Sequence, residues 1–358
     1  MRSSMSPKLS ILLPTFRSDL GALSRIAEAC SWAGPDIEVL IRDNSGNPEK
    51  RELIQRFRRD HCTILIVDTC EPRENYAELL RRAKGEFVFC LGDDDMYFSR
   101  AVAALPHVMA AAAAAPDVVG IAAPCLIDSS KGTAIANYAG IDAEDVAQRV
   151  TGYLQHTAAN VMMYSPMRRA IVERVFDFIA AMPCSLSFHD QITCLLYLLN
   201  GKFVRMPKLI YGYDFGPWED IQSAQKRDMA FYKAAGLDPS ISRLHWFLCG
   251  FEGAILIRNG DVFPDHAPTL RQKMADQWFS IMFQRFLANP RFAFGSQFTA
   301  QADALCAKLR GSAGHLSFVD MLSDICHFIA LSSPDKAQSY LSFWAGMLSP
   351  RRQAVVNG

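Results

Sequence analysis

Four short apolar runs near the N-terminus constrain the fold of this chain more than any other feature: LSILLPTF (9–16), IEVLIRDNS (37–45), TILIVDT (63–69) and EFVFCL (86–91). A strand with one wet face alternates apolar and polar side chains, because successive residues point to opposite faces. These runs are nearly continuous, so both faces are covered. Between them lie DLGALSRIAEACSWAG, NPEKRELIQRFRRD and ENYAELLRRAKG, which carry helical periodicity, with Pro48 suited to a first turn and Gly34 to an exit. Such alternation predicts an α/β fold: a doubly wound, mostly parallel, Rossmann-like sheet. Ser99 is expected to cap a long alanine-rich helix, followed by a further strand in DVVGIAAPCLI. The basic helix RELIQRFRRD is expected to be solvated.

Beyond about residue 220 the pattern changes. Leu270, Met274, Trp278, Ile281, Met282 and Phe286 recur at helical spacing, as do Leu316, Val319, Leu322, Ile325 and Ile329. The stretch GYDFGPWED (212–220) has two glycines and a proline and marks the junction. The expected organisation is an α/β domain over 1–218 and a C-terminal helical subdomain over 219–358.

In doubly wound sheets ligands bind beyond the carboxyl ends of the strands. The polar ends here are Thr15 and Arg17, then Arg42–Asp43–Asn44–Ser45, then Asp68, then Asp93–Asp94–Asp95. They should converge on one edge. Three consecutive aspartates repel one another and call for a positive partner. Magnesium or manganese prefers hard oxygen ligands and is held by one or two carboxylates while substrate phosphates fill other positions. The competing reading is an acidic loop leading into the helix at Ser99.

Several chemistries lose their sequence support. The chain lacks G-x-G-x-x-G after a strand, G-x-x-x-x-G-K-[ST], H-E-x-x-H and G-x-S-x-G. Lysine plus arginine equals aspartate plus glutamate at 37 each, so no global field favours nucleic acid. Ten scattered cysteines form no C-x-x-C pair, which suits reduced, buried thiols in a cytoplasmic protein. The first apolar stretch is too short for a signal sequence and AVAALPHVMAAAAAA too short to span a bilayer; peripheral membrane contact stays open.

The segments LSILLPTF, IEVLIRDNSGN, NYAELLRRAKGEFVFCLGDDDMY and FHDQITCLLYLLNGKFVRMPKLIYGYD occur in the order expected of family-2 glycosyltransferases, which the chain resembles over roughly residues 8 to 215. The resemblance implies the A-type glycosyltransferase fold and an inverting enzyme that uses a nucleotide-diphosphate sugar. Pro14, Thr15 and Phe16 look like the family's loop for nucleobase and ribose. Asp43 falls on the second aspartate of the family's Asp-Asp-x-Ser motif, facing the base and favouring uracil or thymine; Arg42 replaces the first. Asp93, Asp94 and Asp95 fall on the D-x-D region, with Gly92 at the family's first aspartate. The family register points to Asp94 and Asp95 as the pair for Mn²⁺ or Mg²⁺, with Asp93 beside them on the nucleotide side. Asp190 looks like the catalytic base, in the first turn of a helix where it would also complement the dipole. His189 stands at a family glutamate position, with acceptor contacts implied. His156 and Asn160 fall where the family lines the sugar or acceptor pocket.

The implied reaction moves a sugar to a hydroxyl acceptor in polysaccharide or glycan assembly. Its rivals are a non-catalytic nucleotide-sugar or glycan-binding protein of the same fold, and a nucleotidyltransferase. The latter wants a glycine-rich, lysine-bearing loop after the first strand, and PTFRSDLGALSR has no lysine. Trp218 is placed either to stack on a sugar or to pack at the junction. Large residues in the tail (Trp246, Phe247, Trp278, Phe279, Phe283, Phe286, Trp344) exceed what the α/β domain needs for docking. A homo-oligomer or a roof over the acceptor cleft is the expectation.

Overall fold

The structure, a computed structural model, describes residues 7–70, 72–155, 161–184, 189–288, 295–312 and 317–349. It divides into two compact units: Met1–Phe176 with Tyr197–Glu219, and Asp177–Leu196 with Asp220–Gly358. The last crossing falls between Glu219 and Asp220. The segment 177–196 instead groups with the C-terminal helices, and it carries Asp190 and His189 with it.

The strands of the first unit are β1 (Leu9–Thr15), β2 (Ile37–Asp43), β3 (Cys62–Ile66), β4 (Phe87–Cys90), β5 (Met96–Tyr97), β6 (Val118–Ala122), β7 (Cys125–Ser129), β8 (Gly132–Ala136), β9 (Met167–Arg168), β10 (Lys202–Arg205) and β11 (Tyr211–Asp214). Seven build a sheet in the order β10-β6-β9-β4-β1-β2-β3, parallel throughout except for the short β9. The centre is fully buried, as the continuous apolar runs require: Leu9, Ile11, Leu12, Leu13, Val39, Ile41, Phe87 and Phe89 are inaccessible. Its helices are α1 (Leu20–Ser31), α2 (Pro48–Gln55), α3 (Pro72–Arg82), α4 (Ser99–Ala113), α5 (Val146–Gln155), α6 (Arg169–Ala181), α7 (His189–Asn200) and α8 (Gly216–Glu219); α6 ends in the second unit and α7 begins there. Asp19 caps α1 by accepting from the Ala22 amide, and Asn47 caps α2 by accepting from the Lys50 amide, with Pro48 in the first turn.

Two local expectations are corrected. DVVGIAAPCLI is two strands, not one: β6 ends at Ala122 and β7 starts at Cys125, on either side of Pro124, which has no amide to give a ladder. β7 then enters a second sheet of order β5-β11-β7-β8. Ser99 begins α4 without capping it; its hydroxyl donates to Glu28 and accepts from the Trp32 indole. Arg56, Arg58 and Arg59 of RELIQRFRRD are exposed, as a solvated face requires, while Lys50 just before that stretch is buried.

Register places the strand ends. Thr15 of β1 sits opposite Asp43 of β2, and Leu12 opposite Cys90 of β4. The loops after these three strands therefore emerge side by side.

The second unit is helical: α9 (Ile221–Ala234), α10 (His245–Asn259), α11 (Pro268–Ala288), α12 (Thr299–Gly311), α13 (Phe318–Ala330) and α14 (Pro334–Leu348) join 177–196. α10 is buried nearly all round and packs on α11. Gly250 and Gly253 permit this approach: a Cβ on Gly253 would stand 2.2 Å from the Trp278 indole nitrogen, which donates to the Cys249 carbonyl at 3.0 Å. Phe247, Trp278, Phe286 and Trp344 lie inside this unit's own core, so they are not a surface awaiting a second copy. On α13 the stripe runs through Leu322, Ile325 and Ile329, but Val319 is exposed; Leu316 lies outside the described residues.

Candidate active site

Asp93 is the anchor of the loop after β1. Its Oδ2 accepts the Thr15 hydroxyl at 2.6 Å, the Phe16 amide at 3.1 Å and the Arg17 amide at 3.0 Å. These bonds consume a buried carboxylate oxygen and freeze the Pro14–Thr15–Phe16 turn. The Phe16 ring is left 60% exposed on that fixed backbone.

Asp43 is fully buried. Lys50 Nζ lies 2.8 Å from its Oδ1 and also donates to the Thr15 hydroxyl at 2.8 Å, while the Ser45 hydroxyl donates to Oδ2 at 3.1 Å. The expected contact with a nucleobase N–H is therefore corrected: Asp43 offers no accessible oxygen, because a lysine from α2 neutralises it from below. Lys50, Asp43, Thr15 and Asp93 form one buried chain that ties β1, β2 and the β4 loop together. Beside it, Asn75 Nδ2 donates to Asn44 at 3.0 Å and to the Arg42 carbonyl at 3.2 Å, and Arg42 Nη1 donates back to Asn75 at 3.1 Å. Arg42 is nine-tenths buried and its Nε has no partner. Asp68 is solvent-facing, 3.7 Å from Arg51.

Asp94 and Asp95 face each other across Gly92. A Cβ on Gly92 would lie 2.7 Å from a carboxylate oxygen of each, so a side chain there would have to push these carboxylates aside. The Tyr97 hydroxyl donates to the Gly92 carbonyl and closes the turn. Asp94 is half-exposed, with Arg17 3.8 Å away as its nearest cation. Burial and the charge of Asp93 push its carboxyl above the usual range. Asp95 is buried, and burial, with the charges of Asp94 and Asp214, pushes its carboxyl up to about 7, against the stabilising Tyr211 hydroxyl and Asp214 amide. Two converging carboxylates with too little positive charge fit a divalent cation. Among the described residues no three side chains of the metal-ligating types converge, so the remaining ligands would have to come from substrate oxygens.

Asp190 is exposed in the first turn of α7, as the sequence anticipated for that helix. His189 is buried in the second unit, its Nε2 3.6 Å from Glu252, which also accepts the Tyr340 hydroxyl at 2.7 Å. The ring thus turns into the helical core, where it anchors the start of α7 and is not presented to an acceptor. His156 and Asn160 lie outside the described residues.

Lys50, Tyr211 and Asp214 escaped sequence reasoning. The signal for Lys50 was an imbalance: five carboxylates at the strand ends (Asp43, Asp68, Asp93, Asp94 and Asp95) against two arginines, Arg17 and Arg42. For Asp214 it was the strand character of YGYD, which runs into the glycine and proline of the junction.

No family model matches the sequence. A curated protein of Campylobacter jejuni, GalNAc(5)-diNAcBac-PP-undecaprenol beta-1,3-glucosyltransferase, is 28% identical over 103 residues, covering 28% of this chain and 33% of that protein. The match spans about a third of that relative's length. The crystal structure of S. aureus TarS 1–349 superposes with a TM-score of 0.50 at 13% identity, covering 95% of this chain and 87% of that one. A longer TarS structure gives 0.51 at 12% identity, over 95% of this chain and 53% of that one. The fold is that of the A-type glycosyltransferases. A TarS 1–349 structure in complex with UDP matches equally, at a TM-score of 0.50. In the A-type fold found here, the strand ends that carry Thr15, Asp43 and Asp93–Asp95 form one edge of the sheet. Among the described residues no helix is long and apolar enough to cross a membrane.

Proposed function

We propose that this protein is an inverting glycosyltransferase that moves a sugar from a nucleotide-diphosphate donor to a hydroxyl acceptor. The observation that carries the reading is the pairing of Asp94 and Asp95 at Gly92, beside a rigid loop that presents Phe16, within an A-type fold. Phe16 offers its ring to the base, and Asp93 holds the loop that does so. Asp43 and Lys50 position that loop from beneath and do not read the base themselves. Arg17 has an exposed guanidinium beside Asp94, suited to the donor's phosphate oxygens.

Asp94 and Asp95 would hold Mn²⁺ or Mg²⁺, which when bound stabilises the charge of the departing diphosphate. Asp190 takes the acceptor's proton as its oxygen attacks. Inversion requires this base on the face opposite the leaving group, which accords with a carboxylate from a separate segment. The Campylobacter relative's name includes a polyprenyl diphosphate, and we extend this to a lipid-linked glycan acceptor, with the protein working cytoplasmically at the membrane surface.

The test is release of nucleoside diphosphate from a panel of UDP- and GDP-sugars, with Asp190→Asn alongside. Transfer should fall by roughly 10²–10⁴-fold in Asp190→Asn while donor affinity stays within about twofold. Near-normal transfer by the folded variant rejects Asp190 as the base. A wild-type protein that binds donors and turns over none is the non-catalytic relative instead.

A further inference from the structure

Phe215 is a large apolar residue that is exposed and yet rigid. Its amide donates to the Asp128 carbonyl at 2.8 Å and its carbonyl accepts from the Trp218 amide at 2.8 Å. Asp214 before it makes an Asx turn, accepting the Gly216 amide at 2.9 Å. The backbone at Phe215 is thus held from both sides while 36% of the residue faces solvent.

Its address matters more. β11 runs antiparallel to β5 with Gly212 opposite Met96 and Tyr211 opposite Tyr97. Beyond Met96 the chain turns, and there the Asp214 amide donates to the Asp95 carboxylate while the Asp214 charge acts on both Asp94 and Asp95. A run of rings leads out from this point: Tyr211 stacks on Tyr164 at 4.8 Å, Tyr164 lies 6.3 Å from Tyr213, and Tyr213 lies 6.4 Å from Phe215. The inner rings are packed against one another. Phe215 ends the series with an open face, and the exposed Asp214 carboxylate is its neighbour.

We infer that Phe215 and Asp214 form a pyranose subsite, in which the ring face takes the axial C–H side of a sugar and the carboxylate accepts its hydroxyls. Aromatic faces carry negative charge and pair with the weakly positive C–H groups of a pyranose, while a carboxylate is acceptor-only and reads hydroxyl donors. A nucleobase would also stack, but the base is assigned to the exposed ring of Phe16, which leaves Phe215 to a sugar. The proposal rests on the glycosyltransferase reading for the sugar's origin, donor or acceptor, and on the geometry alone for the subsite.

The experiment has two arms on the full chain with Phe215→Ala and Phe215→Trp. In the first, saturation-transfer NMR with methyl α- and β-pyranosides should show contact to wild type and Phe215→Trp, reduced at least fivefold in Phe215→Ala. In the second, titrations compare UDP with UDP-glucose and UDP-N-acetylglucosamine in Mn²⁺. If the donor sugar occupies the subsite, Phe215→Ala loses most of the sugar nucleotide's advantage over UDP. If the acceptor does, that advantage survives and KM for a pyranoside acceptor rises about tenfold or more. Pyranoside contact and both titration readouts unchanged in folded Phe215→Ala would overturn the subsite. Absence of any nucleotide binding to wild type would overturn the glycosyltransferase reading and leave the first arm to decide the subsite.

Discussion

Lys50 decides how the nucleotide edge is built. A fully buried ammonium between Asp43 and Thr15 is stable only while its partners are present, because a lone buried charge costs several kcal/mol. Lys50→Met should destabilise by about 3–5 kcal/mol in urea unfolding. Adding Asp43→Asn should recover part of that, since the orphaned carboxylate is then gone. A single variant within about 0.5 kcal/mol of wild type would mean the pair is not buried as described. Asp95 gives a second residue-scale signature. Its folded carboxyl titrates at about 7 against an ordinary value of 3.8. Between those values the folded metal-free protein binds the proton more tightly than the unfolded chain does. Stability therefore falls as pH rises through that window and levels off above it. In chelator, Asp95→Asn should gain thermal stability over wild type between about pH 4 and pH 8, and excess Mn²⁺ should return wild type's stability at the higher pH. Parallel pH curves for the two proteins would contradict the assigned environment. Neither effect was legible in the sequence. DDD announces a charge problem, but which carboxylate is buried, which is spent on backbone amides and which is left for a cation depends on loop geometry that only the fold supplies.

At the scale of elements, the helical unit depends on close approach between α10 and α11. A methyl on Gly253 meets the Trp278 indole, a rigid ring hydrogen-bonded to Cys249 that cannot swing aside. Gly253→Ala should cost about 1–3 kcal/mol by overpacking. Gly346 on α14 has nothing within 4 Å of its would-be Cβ, so Gly346→Ala should instead stabilise by about 0.5–1 kcal/mol through helix propensity. Opposite signs in chemical unfolding are the expected result, and equal shifts would count against the α10–α11 packing. Helix existence was readable here from spacing alone, as in Met274, Trp278, Met282 and Phe286. Strand partition was not. VVGIAAPCLI is one apolar run by composition, and only Pro124 hints that it serves two sheets. YGYD is too short to stand out as a strand beside the glycine and proline that follow it.

For the whole molecule, the order of elements from β1 to β6, apart from the two-residue β5, was legible because parallel sheets demand continuous apolar strands and regular crossovers. The grouping of 177–196 with the C-terminal helices was not legible, since α6 and α7 look alike on either side of the crossings. The sequence alignment of motifs also overassigned direct contacts: it put Asp43 on a base and His189 on an acceptor, where packing buries both. The proposed site is a division of labour at one sheet edge: Asp93 organises the loop, and the proposal gives Asp94 and Asp95 to a cation and its phosphates. That division is tested most directly by calorimetric titration of UDP and GDP with Mn²⁺ and with chelator, on wild type, Asp94→Ala and Asp95→Ala. Metal-dependent binding of at least one nucleotide is expected, weakened tenfold or more by chelator and by either variant. Nucleotide binding of equal strength in chelator and in both folded variants would contradict it.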